Sequence, residues 1–393
     1  MSLTRRRLFS GFLETPQRHD WIAARGREAM RAGHADAQAG AAGATLIRIS
    51  SNENPLGPGQ HVVDAIVGRF PEASLYPLNA TQREGTLVAA LAKKYGARDA
   101  QVVLGAGSGE ILTNAVRAFT SPTRPLVTAW PSFEAPRVTA DKIGTPVREV
   151  KFDAGLKIDL GQMVEAAKGA GLVFFCNPNN PTATVHGHAA VADTVKAIRA
   201  ASPDTAILID EAYHDYVTDP SYESAAGLAL ATPNVFVTRT FSKAHGMAGL
   251  RAGYAVGDER AIAKLAAYKM PNGLGTLTLA GAMASLANTA HIEAERSRNT
   301  EVRAFTVKAF ADMGITGTDT QANFLFMDIK RAAKPFRDAC RAAGVLVGRD
   351  FPPFETEYCR ISIGTMDEMQ RAVAVFKSVL TGGPTTSRQQ GGQ

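Results

Sequence analysis

Between residues 102 and 256, apolar residues come in short unbroken runs, each followed by a longer mixed stretch. The runs are Val102-Leu104, Leu126-Ala129, Leu172-Cys176, Ala206-Ile209, Val235-Thr238 and Tyr254-Val256, and they predict strands. A strand that does not alternate apolar with polar is buried on both faces, as when helices cover a parallel sheet. Helical stretches predicted at Glu110-Phe119, Ala189-Ala200 and Ala261-Tyr268 supply that cover. The pattern predicts an α/β three-layer sandwich around a mostly parallel central sheet.

From about Thr276 the texture becomes helical. Val302, Phe305, Ala309 and Met313 recur at spacings of three, four and four, which predicts one helix face. Asn323-Met327 and Cys359-Ile363 read as strands of a smaller α+β C-terminal domain. A chain of 393 residues exceeds what one core usually holds. The expected division is an N-terminal arm over 1–44, a segment over 45–75 packing with the small domain, a large domain over 76–280, a small domain over 281–381 and a flexible tail over 382–393. Within the arm, Trp21-Ala32 reads as a short helix and Gly33-Gly43 as a linker.

Composition changes this picture little: 45% hydrophobic and 20% charged is ordinary for a globular protein. The net charge of +6 is spread along the chain, which suits an enzyme of small anionic ligands better than a nucleic-acid binder. The three cysteines follow no metal-ligand spacing, no metal site is expected, and Cys176 at the end of an apolar run reads as a buried thiol. No apolar run is long enough to span a bilayer. Thr4-Arg5-Arg6-Arg7-Leu8-Phe9 resembles the opening of a twin-arginine export signal, but Glu14, Arg18, His19 and Asp20 interrupt the apolar stretch such a signal needs. A cytoplasmic protein is expected, with periplasmic export as the alternative.

The candidate chemistry gathers where strands end. Arg239 to Tyr254 reads RTFSKAHGMAGLRAGY, which sets Lys243 after Ser242 and eight residues before Arg251. A lysine in a polar, small-residue loop can act as a nucleophile once burial or cationic neighbours suppress its charge. Gly105-Ala106-Gly107-Ser108-Gly109-Glu110 lies between a strand and a helix, where backbone amides can meet an anion; it can equally be a plain tight turn. Asp210, opening DEAYHDY, stands at the carboxyl end of a strand, where open α/β sheets bind ligands; a helix N-cap is its other reading. NPNNPT begins at Asn177.

Together these segments resemble the active site of fold-type I pyridoxal-phosphate-dependent aminotransferases, most closely the histidinol-phosphate aminotransferase branch. The resemblance covers about residues 45 to 380. It implies that Lys243 carries the cofactor and, once displaced, moves a proton at the substrate. It assigns the cofactor phosphate to Ala106, Gly107, Ser108, Thr240, Ser242 and Arg251, and the pyridine nitrogen to Asp210. Asn180 and Tyr213 fall to the cofactor's O3′, and Phe133 to the ring face, where many relatives have Tyr. In relatives the peptide bond matching Asn180-Pro181 is often cis. Tyr76 resembles the tyrosine that reaches a neighbouring subunit's phosphate site, which implies a homodimer with shared active sites; an ordinary packed tyrosine is the other reading.

On the substrate side the resemblance points to Arg360, Arg349 and Asn323, and to Ser51-Gly57 (SNENPLG) folding over the site. Leu56 stands where relatives committed to histidinol phosphate often carry Tyr. Arg349 reads equally well as half of a surface ion pair with Asp350 or Glu355. Ala183 replaces a glycine of the family motif, and His245 an aromatic residue. The implied reaction is ping-pong amino transfer from a donor, L-histidinol phosphate first, to 2-oxoglutarate. An aromatic or other amino-acid aminotransferase is one alternative; a pyridoxal-phosphate decarboxylase or cyclase on the same scaffold is another.

Overall fold

A computed structural model of the chain describes residues 46–77 and 84–381. The expected arm helix, its linker, the export-like motif and the tail lie outside those residues. The described chain opens with a short strand β1 (Ile47–Arg48), after which the segment to Gly59 runs to a helix at Gln60–Gly68. The central sheet then takes shape from β2 (Val102–Gly105), β3 (Leu126–Ala129), β4 (Val147–Val150), β5 (Leu172–Cys176), β6 (Ala206–Asp210), β7 (Val235–Thr240) and β8 (Gly253–Gly257). Their order across the sheet is β2-β8-β7-β6-β5-β3-β4. Neighbours from β7 to β4 are parallel, while β8 runs antiparallel to both β2 and β7.

The unbroken apolar runs are explained by burial on two sides. In β5 every residue is buried, with Leu172, Phe174 and Cys176 entering one core and Val173 and Phe175 the other. Strand β6 repeats the arrangement, with Ala206 and Leu208 on one face and Ile207 and Ile209 on the opposite face. Fully burying a Phe, Leu or Ile side chain contributes about 1.5–3 kcal/mol, so each central strand is held from both faces. The edge strand β4 has no such signature: Arg148 and Glu149 are exposed, and the apolar pattern missed it.

After a helix at Thr276–Ala287 and a 23-residue helix at Thr289–Ala311, the chain forms β9 (Phe324–Asp328), β10 (Val345–Leu346) and β11 (Tyr358–Ser362), then a last helix at Met366–Thr381. Strands β9 and β11 pair antiparallel, and β10 pairs parallel with β1. Ile47 and Ile49 therefore bury in the same core as Phe310, Phe336 and Phe376. The predicted face of the long helix needs correcting. Val302 is buried, but Phe305 and Ala309 are only half-buried and Met313 lies past the helix end. The buried stripe is Glu295, Asn299, Val302, Arg303, Thr306 and Phe310. Charged members can be there because they are paired: Arg298 clamps Glu295, and Arg303 donates to the carbonyls of Tyr216 and Ala322. Among the described residues no helix is long and apolar enough to cross a membrane.

Candidate active site

The carboxyl ends of β5, β6 and β7 open on one side of the sheet, where the loops after them meet the Ser50–Asn54 segment and β11. The turn after β2 lies alongside, because β8 runs backwards and Gly253 pairs with both Gly105 and Thr240. A Cβ on Gly253 would strike the amide of Ser108. Gly107 adopts φ 75, and a Cβ there would strike the guanidinium of Arg251. Only glycine suits either position. Ser108 is the first residue of the helix Ser108–Phe119, so its amide is among the unpaired donors of a helix start. Arg251 reaches the same turn from a left-handed residue (φ 54), donating to Ser242 Oγ at 3.4 Å and to the Ala248 carbonyl at 2.9 Å. Ser242 Oγ also accepts from Thr240 at 2.9 Å. Gly107, Ser108, Thr240, Ser242 and Arg251 thus form one small cationic cup. Ala106 differs, since its amide is taken by the Glu110 carboxylate at 2.6 Å.

Asp210 ends β6, buried, and accepts a hydrogen bond from the hydroxyl of Thr238 at 2.9 Å. Desolvation pushes its carboxyl up to about 6, against the Thr238 hydrogen bond, with the nearby Glu211 adding to the rise. Lys243 follows β7 in a loop without regular structure. Burial lowers its amine to about 8, helped by Arg360 and Arg251 and opposed by Glu53 and Asp210. Its Nζ donates to the Asn52 carbonyl at 3.0 Å and lies 5.4 Å from the Tyr213 ring centre. The loop is fixed on two sides. Asn54 Nδ2 holds the Ala244 carbonyl at 3.0 Å, and His245 Nδ1 and Ser285 Oγ are 2.6 Å apart.

Tyr213 and Asn180 face each other across this loop, Asn180 Nδ2 to the phenol oxygen at 3.4 Å. Burial raises the Tyr213 phenol above its usual range. The Asn180-Pro181 peptide is cis, as the resemblance implies. Arg360 on β11 donates to Asn180 Oδ1 and to the Ser50 carbonyl, both at 2.8 Å, while its Nε is buried without a partner. Asn323 Nδ2 donates to the Asn52 carbonyl at 3.1 Å, leaving its own buried Oδ1 unpartnered.

Asn52, named in the sequence only as part of a motif, is the hub of this arrangement. Its side chain donates to the Tyr213 hydroxyl at 3.1 Å and accepts from Ser362 at 2.7 Å, and its carbonyl receives both Lys243 and Asn323. It does this at φ 56, a left-handed conformation that Asn tolerates better than most residues. Ala183, standing for a glycine, is also left-handed at φ 59 and fully buried.

A cavity of about 400 Å³ opens above Lys243. Asn180, Tyr213, Arg360, Arg349 and Phe133 line it, together with two residues that sequence reading did not single out, Glu134 and Arg337. Arg349 forms no ion pair with Asp350 or Glu355, although it donates to the Asp350 backbone carbonyl at 3.1 Å. Its guanidinium meets Glu134 at 2.7 Å, and it is Arg337 that pairs with Asp350, at 2.8 Å. Two candidates lie elsewhere. Leu56 is more than half exposed and outside the cavity lining, and Tyr76 is exposed beside a second cavity bounded by residues 275–278.

Three comparisons bear on this geometry. The family model described as aminotransferase class I and II matches residues 44–376. The histidinol-phosphate aminotransferase of Symbiobacterium thermophilum is 35% identical over 85% of this chain and 91% of its own length. The aromatic amino acid aminotransferase of Streptomyces avermitilis is 32% identical over 83% and 88%. The solved histidinol-phosphate aminotransferase of Sinorhizobium meliloti, in complex with pyridoxal-5'-phosphate, shares the fold with a TM-score of 0.78 at 24% identity, covering 90% of this chain and 94% of that one.

Proposed function

Since this chain belongs to the class I and II aminotransferase family, we propose that it takes the amino group of L-histidinol phosphate and passes it to 2-oxoglutarate. The enzyme is a transaminase and its cofactor is pyridoxal 5'-phosphate. The residues present fit that group. The cup at Gly107 and Gly253 has no room for a Cβ, so backbone and Arg251 can close on a phosphate. Asp210 is a buried carboxylate held by a neutral hydroxyl, which leaves it free to pair with a protonated ring nitrogen.

When bound, the cofactor supplies an electron sink for the bond between the donor's Cα and its hydrogen. This chain's residues do the rest. Ser108, Thr240, Ser242 and Arg251 would hold the phosphate, Phe133 would cover the ring, and Asp210 would keep the ring nitrogen protonated. Asn180 and Tyr213 would donate toward the ring hydroxyl. Lys243, at about 8, keeps a neutral fraction near neutral pH, so its Nζ can take a proton from Cα and return it nearby.

The observation that carries the choice of donor is the presence of Arg349 and Arg360 in one cavity with Lys243. Guanidinium groups match the oxygens of a phosphate in two-point contacts. A second reading, an aromatic amino acid as donor with Arg360 on its carboxylate, draws on the Glu134–Arg349 pair, which neutralises the second arginine. We assign the working form as a homodimer, with exposed Phe70, Leu75 and Tyr76 at its interface, and the compartment as the cytoplasm. Light scattering of the purified protein tests the dimer.

The deciding experiment mixes cofactor-loaded enzyme with L-histidinol phosphate in the absence of any keto acid. Loss of the cofactor's visible band, restored by 2-oxoglutarate, is the expected result. An unchanged band overturns this donor, and phenylalanine is then the one to try.

A further inference from the structure

Glu134 directly follows Phe133 and precedes the helix Ala135–Ile143, on the sheet side of the cavity. Arg349 comes from the opposite side, after β10. The Gly348 amide donates to the Arg360 carbonyl at 2.8 Å, which sets Arg349 beside Arg360. The two guanidiniums also share one aromatic ring, Arg349 at 4.3 Å and Arg360 at 4.8 Å from the centre of Phe351. Two cations this close repel: burial does most to lower the basicity of Arg360, Arg349 adds to that, and Glu134 opposes it. Glu134 is therefore the counter-charge of the pair, bound to Arg349 across the mouth of the site.

Resting on the aminotransferase reading above, we propose that Glu134 determines donor specificity by acting as a resident anion, occupying the guanidinium that a donor's distal phosphate would take. The ion pair is half exposed, with side-chain exposures of 50% and 39%. Such a pair is weak and screened by solvent, so a dianion that engages two arginines at once can displace it. A donor with an uncharged far end cannot replace the lost pair; it leaves Arg349 on Glu134 and relies on Arg360 alone. One cavity thereby serves two donor classes in two states of a single ion pair. Glu134 sets the threshold between them.

The test uses full-length, cofactor-loaded enzyme in native form and as Glu134→Gln, Arg349→Ala and the double variant. Calorimetric titration with inorganic phosphate reads the distal site without turnover, and steady-state kinetics read the KM for phenylalanine. In Glu134→Gln the phosphate affinity should rise about fivefold, the value of an exposed ion pair, and the ratio of phosphate affinity to phenylalanine affinity should rise with it. The gain should vanish when Arg349 is also Ala. No gain in Glu134→Gln, or a gain that persists without Arg349, overturns the proposal. If phosphate affinity drops in Arg349→Ala but ignores Glu134, only the role of Glu134 is lost. If native enzyme turns over no amino donor, the functional reading itself fails.

Discussion

The floor of the site and its rim are built on different physical terms. On the floor, Asp210, Thr240 and Ser242 are buried and lie at or just after strand ends, with Lys243 in the same loop. At the rim, Arg349, Glu134 and Glu53 are between a third and a half exposed and are held by ion pairs. A buried polar group whose partner is removed costs its full desolvation, whereas an exposed pair trades one solvated state for another. The floor should therefore tolerate no substitution, while the rim can be retuned. Chemistry fixed below and donor choice adjustable above is the expected consequence.

The sharpest test of that contrast is Lys243→Ala, which removes the group proposed to move the proton. Turnover should fall roughly 10⁴-fold, with loss of the visible cofactor band, while the circular dichroism of the fold persists. A variant that keeps its band and much of its activity would show that the floor has another nucleophile. Asp210→Asn is the next largest. Shape and the Thr238 contact survive, but the charge proposed to face the ring nitrogen is gone. A loss on the order of 10³ in kcat is expected, most of it not recovered by saturating donor. A loss confined to KM would move Asp210 from chemistry to binding.

How much of this was legible in the sequence follows the same division. Strands β5, β6 and β7 were readable because burial on two faces leaves unbroken apolar runs, and the site residues at their ends came with them. β4 was not, since an edge strand with exposed Arg148 and Glu149 has no such run. Nor did a run of apolar residues disclose that β8 is antiparallel to its neighbours. The contacts between distant segments, buried and exposed alike, were least readable. Asn52 meets Tyr213 across 161 positions and Ser362 across 310, and Glu134 meets Arg349 across 215. Such contacts are set by tertiary packing and carry no local spacing. The long helix misled for a related reason, because paired Glu295 and Arg303 occupy the face that periodicity assigns to apolar residues.

Between floor and rim stands Arg360, buried like the former and lining the cavity like the latter. Arg360→Met should raise the donor KM about 10- to 100-fold, the range for a lost hydrogen bond to a charged group. It should also act on Lys243. In the role proposed for Lys243 only the neutral amine captures the cofactor, so the reconstitution rate of cofactor-free protein should rise with pH through about 8 and then level off. Removing a neighbouring cation makes the ammonium easier to keep, so the midpoint should move upward. Stopped-flow reconstitution across pH measures it, and an unmoved midpoint would mean that Arg360 has no part in setting the lysine.

Glu53→Gln makes the complementary and smallest change. Glu53 favours the charged form of Lys243, so its loss should move the same midpoint downward, opposite in sign to Arg360→Met. The carboxylate is 41% exposed and shared with Arg48 at 2.8 Å, so solvent and that partner weaken its hold on the lysine. The shift should be a few tenths of a pH unit in dilute buffer and should fade near 1 M salt, where charges are screened within about 3 Å. The Arg360 shift should survive the same salt, because a buried charge is not screened in that way. Equal salt sensitivity in the two variants would erase the distinction between floor and rim. Unequal sensitivity would place the boundary between them at the Asn52 carbonyl, where Lys243 meets the segment that carries Glu53.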